Sequence, residues 1–153
     1  MKRVLLLALS LLALVAVAMA ADKPNFSGEW KMDAGKSNFG QLPAPSSFVR
    51  KIQHKDPSLI IIEEQSANGA QSTTTRSVTT DGKPATLQLN GIAAMCSAVW
   101  DGSDVVASTA MDAAGLKFTD RMSLSADRKV LTSKVKISTP QGDADLTIVF
   151  NRQ

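Results

Sequence analysis

The chain of 153 residues carries 17 Lys and Arg against 14 Asp and Glu, with one His, one Cys and no Tyr. Removal of Lys2 and Arg3 with the leader described below leaves 15 basic residues and a net charge of +1. A nearly balanced charge argues against a nucleic-acid partner, which requires a basic surface. A single His and a single Cys argue against the usual kinds of metal site and exclude an internal disulfide.

Residues 1–20 have the pattern of a cleavable secretory signal peptide. Lys2 and Arg3 precede an apolar run over residues 4–17, and Ala18-Met19-Ala20 is a small-x-small cleavage site. The run is shorter than the ~20 apolar residues that a membrane span requires. We therefore predict a signal peptide over residues 1–20, a single domain over residues 21–153, a secreted or periplasmic location and no stable membrane insertion of the mature chain.

Residues 26–32 are the first expected strand. Phe26, Gly28, Trp30 and Met32 occupy every second position, and polar residues lie between them. A period of two with one apolar side is typical of a half-buried strand. A Trp on the inner face requires a deep core and a partner for its ring.

The segment that follows, residues 33–47, is rich in chain-breaking residues. Gly35, Gly40, Pro43 and Pro45 predict a loop or a single short turn of helix rather than a full helix. We expect this segment to cross one end of a barrel.

The rest of the chain consists of short alternating segments separated by turn sequences. Asn68-Gly69, Asp81-Gly82 and Asn90-Gly91 are each typical of a tight two-residue hairpin turn, in which both residues have positive φ. About ten strands are predicted in all, over residues 26–32, 48–54, 59–65, 71–80, 85–89, 92–100, 104–111, 116–124, 130–138 and 144–152.

These segments predict an all-β fold. No stretch with helical period is long enough to serve as a crossover, so consecutive strands should pair in an antiparallel meander. Ten strands in an open sheet would expose two long edges, and closure of the sheet removes them. We therefore predict an antiparallel up-and-down β-barrel of about ten strands in preference to a sandwich.

The terminal strands carry a resemblance to a known superfamily. Residues 26–32, Phe-Ser-Gly-Glu-Trp-Lys-Met, resemble the Gly-x-Trp opening of the lipocalin and fatty-acid-binding-protein (calycin) superfamily. The closing residues 149–152, Val-Phe-Asn-Arg, resemble its final strand with a terminal Arg. The resemblance implies that Gly28, Trp30 and Arg152 close the barrel, with Arg152 lying across the indole ring at the closed end. A cation over an indole face stabilises by about 0.5–2 kcal/mol.

A closer resemblance extends over most of the mature chain. Residues 33–45, 54–57, 100–102 and 123–127 resemble segments of small exported bacterial proteins that are described as lipocalin-like and have no assigned function.

One departure from the superfamily bears on the ligand. Many fatty-acid binders hold the ligand carboxylate with an Arg-x-Tyr on the final strand. The corresponding positions, counted back from Arg152, are Phe150 and Ile148, and both are apolar. The usual carboxylate clamp is therefore missing, which argues against a fatty acid with a buried head.

Arg50 and Asp120 are charged residues on otherwise apolar strand faces. Burial of a charge is unfavourable unless the charge is paired. Either both residues point into a cavity and bind a polar head group, or the strands twist and both reach solvent at a rim. We favour the rim, because the ends of barrel strands are wet.

The interior of a ten-stranded barrel is wider than side chains easily fill, which favours a cavity. The alternative is that the same side chains simply fill a core. The candidate ligand-binding residues are Phe48, Arg50, Met95, Met111, Phe118, Asp120, Met122, Ile148 and Phe150.

His54 and Cys96 have simpler interpretations than catalysis. No Ser has a spacing that marks it as a nucleophile for His54, and residues 54–57 fit a strand end in which Asp56 caps the turn. Cys96 lies in the apolar run 92–100, so we expect a buried thiol that packs as a small hydrophobe rather than a reactive one.

These observations predict an exported monomer that binds a small, mainly apolar molecule inside its barrel, with no cofactor and no metal. The alternative is a filled barrel whose loops bind another macromolecule, with residues 33–47 as the candidate surface. An enzyme ranks third, because no catalytic roles can be assigned.

Overall fold

The structure is a computed structural model that describes residues 23–153. The predicted signal peptide, residues 1–20, lies outside the described residues. Within residues 23–153 the one helical segment is the three-residue 3-10 turn Asp112–Ala114. No helix in this part of the chain is long and apolar enough to cross a membrane.

Every predicted strand is present. The alternation of apolar and polar residues gives each strand one inward side, and the boundaries agree closely with the sequence pattern. The strands are β1 (Gly28–Met32), β2 (Ser47–Lys55), β3 (Ser58–Ala67), β4 (Ala70–Thr79), β5 (Ala85–Leu89), β6 (Ile92–Asp101), β7 (Asp104–Met111), β8 (Leu116–Leu124), β9 (Val130–Thr139) and β10 (Gly142–Arg152).

The ten strands form one antiparallel sheet in the order β4-β3-β2-β1-β10-β9-β8-β7-β6-β5. The first and last strands are neighbours, with Trp30 opposite Arg152 and Met32 opposite Phe150. The sheet therefore curls into a nearly closed barrel, which confirms the predicted up-and-down architecture.

Two of the three predicted hairpin turns are present. Asn68 and Gly69 have φ of 51° and 78°, and Asn90 and Gly91 have φ of 51° and 79°. Both pairs connect strands that are hydrogen-bonded to each other, as the turn sequences predict.

The third prediction, a tight hairpin at Asp81-Gly82, is wrong. The flanking strands β4 and β5 are not neighbours in the sheet order, and Asp81 instead forms an isolated bridge with Val99 of β6. Gly82 donates its N–H to the carbonyl of Ala98 at 2.8 Å. These contacts direct the chain after β4 toward β6 instead of back along β4. Strands β4 and β5 are the two ends of the sheet, and the gap in the barrel lies between them.

The closed end is built around Trp30. The Arg152 guanidinium carbon lies 4.1 Å from the centroid of the Trp30 ring, and the fully buried indole Nε1 donates to the carbonyl of Phe26 at 3.1 Å. Arg152 Nη1 donates to the carbonyl of Ser27 at 2.7 Å. A Cβ at residue 28 would meet Arg152 Nη1 at 2.5 Å, and φ of Gly28 is +147°. Glycine at this position therefore lets the guanidinium reach its place over the indole.

The buried apolar residues that do not line the cavity described below form the solid core of the barrel. Cys96 is among them, as its apolar surroundings predict. These residues are Phe26, Trp30, Ile52, Leu59, Ile61, Val78, Ala94, Cys96, Ala98, Val105, Ala107, Met122, Leu131 and Phe150.

The segment between β1 and β2 forms a loop without a helix. Asn38 pairs with Thr147 of β10, with N···O distances of 2.7 and 2.8 Å, and the Val149 N–H donates to Ser37 Oγ at 3.0 Å. From this anchor the loop crosses the end of the barrel opposite Trp30, as expected. Four of its side chains line the mouth of the cavity: Phe39, Leu42, Pro43 and Pro45.

Candidate ligand-binding cavity

A cavity of about 380 Å³ occupies the end of the barrel beneath this loop. Its walls are mainly apolar, and its volume falls within the ~300–1,000 Å³ typical of small-molecule sites. The lining residues are Phe39, Leu42, Pro43, Pro45, Phe48, Arg50, Glu63, Gln65, Thr74, Arg76, Leu89, Asn90, Met111, Leu116, Phe118, Asp120, Val135, Ile137, Leu146 and Ile148.

The inner end of the cavity carries a charged cluster, which consists of Arg50, Glu63, Arg76 and Asp120 together with Ser133. The β2–β3 hairpin sets a register in which Arg50 lies directly opposite Glu63. Arg50 Nη2 donates to Glu63 Oε1 at 2.6 Å, and Arg50 is only 2% exposed. Such a charge-assisted hydrogen bond, here partly buried, is among the stronger ones in proteins.

Asp120 and Ser133 join the cluster from β8 and β9. Arg50 Nη1 donates to Ser133 Oγ at 3.0 Å, and Ser133 Oγ donates to Asp120 Oδ1. Asp120 Oδ2 lies 2.9 Å from Arg50 Nη2 but makes no hydrogen bond, so this contact is an ion pair without a well-directed N–H. Arg50 therefore ties β2 to two strands in a distant part of the sheet.

Arg76 enters the cluster from β4. Its Nη2 lies 3.0 Å from Glu63 Oε2, so Glu63 holds a different arginine on each carboxylate oxygen. Arg76 is 3% exposed, and within residues 23–153 its Nε and Nη1 have no hydrogen-bond partner. Buried N–H groups without partners are uncommon and destabilising.

Glu63 and Arg50 both remain charged near neutral pH. Burial alone would raise the pKa of Glu63, but the guanidinium groups of Arg76 and Arg50 outweigh burial and lower that pKa below its ordinary value. Burial likewise disfavours protonated Arg50, yet Asp120 and Glu63 raise its pKa above the usual range. Two guanidinium groups thus face two carboxylates, and the formal charges of the cluster cancel.

Aromatic rings flank both arginines. The guanidinium carbon of Arg50 lies 4.9 Å from the Phe150 ring centroid and 5.6 Å from that of Phe48, and that of Arg76 lies 5.6 Å from the Phe118 ring. Phe48 and Phe150 pack edge to face at 5.1 Å. Cation–π contacts of this kind hold a guanidinium in place in a poorly hydrated site.

The structure brings most of the predicted site residues to this cavity. Two others, Met122 and Phe150, are fully buried in the solid core and do not line it. The predicted residues that line the cavity are Phe48, Arg50, Met111, Phe118, Asp120 and Ile148.

The placement of Met95 in a pocket inside the barrel is wrong. Met95 is 56% exposed on the outer side of β6, whereas its neighbours Ala94 and Cys96 are buried. Because successive strand residues point to opposite faces, burial of Cys96 forces Met95 outward.

The expectation that Arg50 and Asp120 reach solvent at a rim is also wrong. Both are 2% exposed. They stay in the interior because each one neutralises the other, and because Glu63 and Ser133 supply further polar partners.

Sequence reasoning missed Glu63, Arg76 and Ser133. A signal was present, since Glu63 is in phase with Leu59 and Ile61 on the apolar face of β3, and residue pairing in a hairpin is fixed by its turn. Counting back from the turn after Lys55 places Glu63 opposite Arg50. No local pattern indicates that Asp120 meets the same arginine, because that contact depends on how the whole sheet curls.

His54 lies outside the cavity. It is 7% exposed, its Nδ1 accepts the Phe26 N–H at 3.3 Å, and its ring packs 5.5 Å from that of Trp100. Asp56 Oδ1 accepts from Thr80 Oγ1 at 2.6 Å and from Trp100 Nε1 at 2.7 Å. His54 therefore belongs to the packing of the closed end.

Among the described residues, no three His, Cys, Asp or Glu side chains are grouped so that they could hold a metal ion.

No protein-family model matches the chain, and no curated protein matches it in sequence. Solved structures do match its fold. A secretory abundant heat soluble (SAHS) protein from Ramazzottius varieornatus superposes with a TM-score of 0.64 and 13% identity, over 83% of this chain and 94% of that one.

Two further structures are similar at comparable levels. Zebrafish ileal bile acid-binding protein, in complex with cholic acid, has a TM-score of 0.57 and 15% identity over 84% of this chain and 98% of that one. Human cRBP IV has a TM-score of 0.56 and 12% identity over 85% and 99% of the two chains. These likenesses are between folds, because the sequences share so few residues.

Proposed function

We propose that this chain, which has the lipocalin-like barrel fold of the calycin superfamily, is an exported protein that binds a small, mainly apolar molecule in its barrel. The observation that carries the proposal is the cavity of about 380 Å³ beneath the loop of residues 33–47. A barrel interior is normally filled by its own side chains, whereas this one leaves a mainly apolar space that opens beneath the loop.

The loop that covers the cavity supports the same proposal. Phe39, Leu42, Pro43 and Pro45 turn apolar side chains toward the opening. The pairing of Asn38 with Thr147 holds the loop against β10. The loop therefore covers the cavity from outside the sheet.

The solved structures give the proposal a precedent within the fold. The zebrafish protein was crystallised with cholic acid, a small molecule. At 15% identity the likeness says nothing about which ligand this chain takes. It shows that a barrel with this strand arrangement can carry a small organic molecule.

We propose binding rather than catalysis. The two carboxylates of the charged cluster, Glu63 and Asp120, are both paired with guanidinium groups, so neither is available as a general base. The single histidine, His54, lies in the closed end and does not line the cavity.

A second part of the proposal is export to the periplasm or the medium. It rests on the signal-peptide pattern of residues 1–20, with cleavage after Ala20. Intact-mass measurement of protein from the exported fraction should give a mature chain that begins at Ala21. A chain that retains Met1 and stays in the cytoplasm would contradict this part alone.

The alternative of a filled barrel that binds a macromolecule through its loops requires an interior without space. The cavity counts against that alternative. The deciding experiment is native mass spectrometry of gently purified protein, before and after extraction with organic solvent. We expect a mass adduct that extraction removes, and binding of the uncharged apolar dye N-phenyl-1-naphthylamine by the extracted protein. Absence of both the adduct and dye binding would contradict the proposed function.

A further inference from the structure

The most unusual feature of the cavity is that the Arg76 guanidinium has more N–H groups than hydrogen-bond partners. Its guanidinium carries five N–H groups, and Glu63 engages Nη2 only. Nε and Nη1, which bear three N–H groups, have no partner in residues 23–153, and the side chain is 4% exposed. Arg76 lines the cavity, and Nε and Nη1 lie just beneath its wall with almost no accessible surface of their own, so a ligand oxygen reaches them when the side chain turns toward it.

The charge of the cluster decides which kind of acceptor fits. Arg50 and Arg76 are matched by Glu63 and Asp120, and Glu63 bridges both arginines. A ligand carboxylate would bring a net negative charge into a site whose positive charges are already neutralised. It would lose its hydration without an unpaired cation to replace it, which is strongly unfavourable.

A neutral oxygen avoids this difficulty. A ketone, ester or amide carbonyl accepts hydrogen bonds, adds no charge, and is far less costly to move out of water than a carboxylate. Hydrogen bonds from a charged donor to such an oxygen are stronger than those between two neutral groups.

We propose, on the basis of the proposed function, that the ligand is an apolar molecule with an uncharged carbonyl-type acceptor, and that the free N–H groups of Arg76 hold this oxygen. The rest of the ligand lies against the apolar wall formed by residues such as Met111, Val135 and Ile148. Specificity follows from the cluster, because a buried donor left unpaired disfavours pure hydrocarbons and a surplus charge disfavours acids.

The test compares two probes of the same shape, methyl nonyl ketone and decanoate, in which a methyl group replaces the ionised oxygen. Their affinities for the wild-type protein are measured at pH ~7.4 by displacement of N-phenyl-1-naphthylamine. We expect the ketone to bind at least about tenfold more tightly, because decanoate brings a charge that loses its hydration in a cluster whose charges already cancel. Equal affinities, or tighter binding of decanoate, would overturn the proposal and leave the proposed function intact.

Arg76→Met supplies the matched variant, because it keeps the length of the side chain and removes the donors. We expect the ratio of ketone affinity to dye affinity to fall by about tenfold, because the dye has no carbonyl for Arg76 to hold. An unchanged ketone affinity would overturn the assignment of Arg76.

A spectroscopic measurement on the wild type makes the proposal independent of any variant. The infrared carbonyl stretch of bound methyl nonyl ketone should move to lower frequency than in hexane, as it does when the oxygen accepts hydrogen bonds. A bound ketone with the hexane frequency would contradict the proposal. Failure of the protein to bind either probe or the dye would instead be a failure of the proposed function itself.

Discussion

The two ends of the barrel use the same pair of groups, a guanidinium and an aromatic ring, in different ways. At the closed end Arg152 lies over Trp30 and donates to the carbonyls of Ser27 and Arg128 at 2.7 and 2.8 Å. At the cavity end Arg76 lies beside Phe118, yet two of its three nitrogens have no partner within the described residues. At the closed end the guanidinium of Arg152 donates to two backbone carbonyls, whereas the guanidinium of Arg76 keeps three N–H groups without a partner among the described residues.

The two ends also differ in the kind of contact that holds their side chains. Large side chains close the barrel around Trp30, and hydrogen bonds to the backbone fix their positions. The charged cluster lies between this solid core and the cavity. Its ion pairs fix its position but leave N–H groups of Arg76 without hydrogen-bond partners among the described residues. Substitutions at the closed end should therefore lower stability through lost packing, and substitutions in the cluster through an unpaired charge.

The largest effect is expected at the closed end. Trp30→Ala should lower the free energy of unfolding by about 3–5 kcal/mol, because it removes a fully buried indole and leaves a cavity. Urea denaturation measures this loss. Trp100→Ala is the control, since Trp100 is only partly buried and should lose clearly less. Superimposable melts of the Trp30 variant and the wild type would contradict the placement of this ring.

The charged cluster offers a comparison between two adjacent glutamates on β3. The Glu63 side chain is only 12% exposed and lies between two arginines, whereas Glu64 pairs with Lys51 at a surface where both side chains are more than 40% exposed. Glu63→Ala should destabilise by about 3 kcal/mol, because it leaves the buried guanidinium of Arg76 without its carboxylate, while Arg50 keeps Asp120. Glu64→Ala should lose no more than about 1 kcal/mol. Similar losses for the two variants would show that the cluster is hydrated.

A smaller effect is expected from the pH dependence of the closed end. Burial lowers the pKa of His54 below its ordinary value, although the nearby Asp56 carboxylate acts in the opposite direction. The His54 imidazole of the unfolded chain therefore takes up a proton near pH ~6.5, whereas that of the folded chain stays neutral until a lower pH. Stability from this source is complete above pH ~6.5 and declines as the pH falls further.

His54→Gln tests this account, because an amide oxygen can still accept the Phe26 N–H and the side chain no longer titrates. We expect urea melts of the variant to change less than those of the wild type between pH ~7 and ~5.5. Identical pH slopes for the two proteins would show that His54 does not contribute.

The sequence predicts most of the fold because the signals involved are local. Alternating residues mark the strands, and Asn68-Gly69 and Asn90-Gly91 mark turns in which both residues need positive φ. Trp30 and Arg152 lie side by side in the structure, as the resemblance of the terminal strands implied. The failure at Asp81-Gly82 has a physical cause, since the same dipeptide suits any sharp turn and does not require that the flanking strands pair.

The candidate site is harder to predict, because its key contacts join distant parts of the chain. The pairing of Arg50 with Glu63 follows from one hairpin, but the contact of Arg50 with Asp120 and Ser133 requires a closed sheet of a particular width. Without that width, a charge on an apolar face is more readily assigned to solvent than to a buried network.

The central claim, that the barrel interior receives an apolar molecule, is tested most directly by two tryptophan substitutions at methionines. Met111 lines the cavity, and Met95 is exposed on the outer face of the barrel. The measurement is the affinity of each variant for N-phenyl-1-naphthylamine, with circular dichroism to confirm that both retain the β-fold. Our account predicts that Met111→Trp loses at least about tenfold in affinity, because the larger ring fills the cavity, and that Met95→Trp binds as the wild type does. Equal affinities for the two variants, or a loss confined to Met95→Trp, would place the dye outside the barrel and contradict the claim.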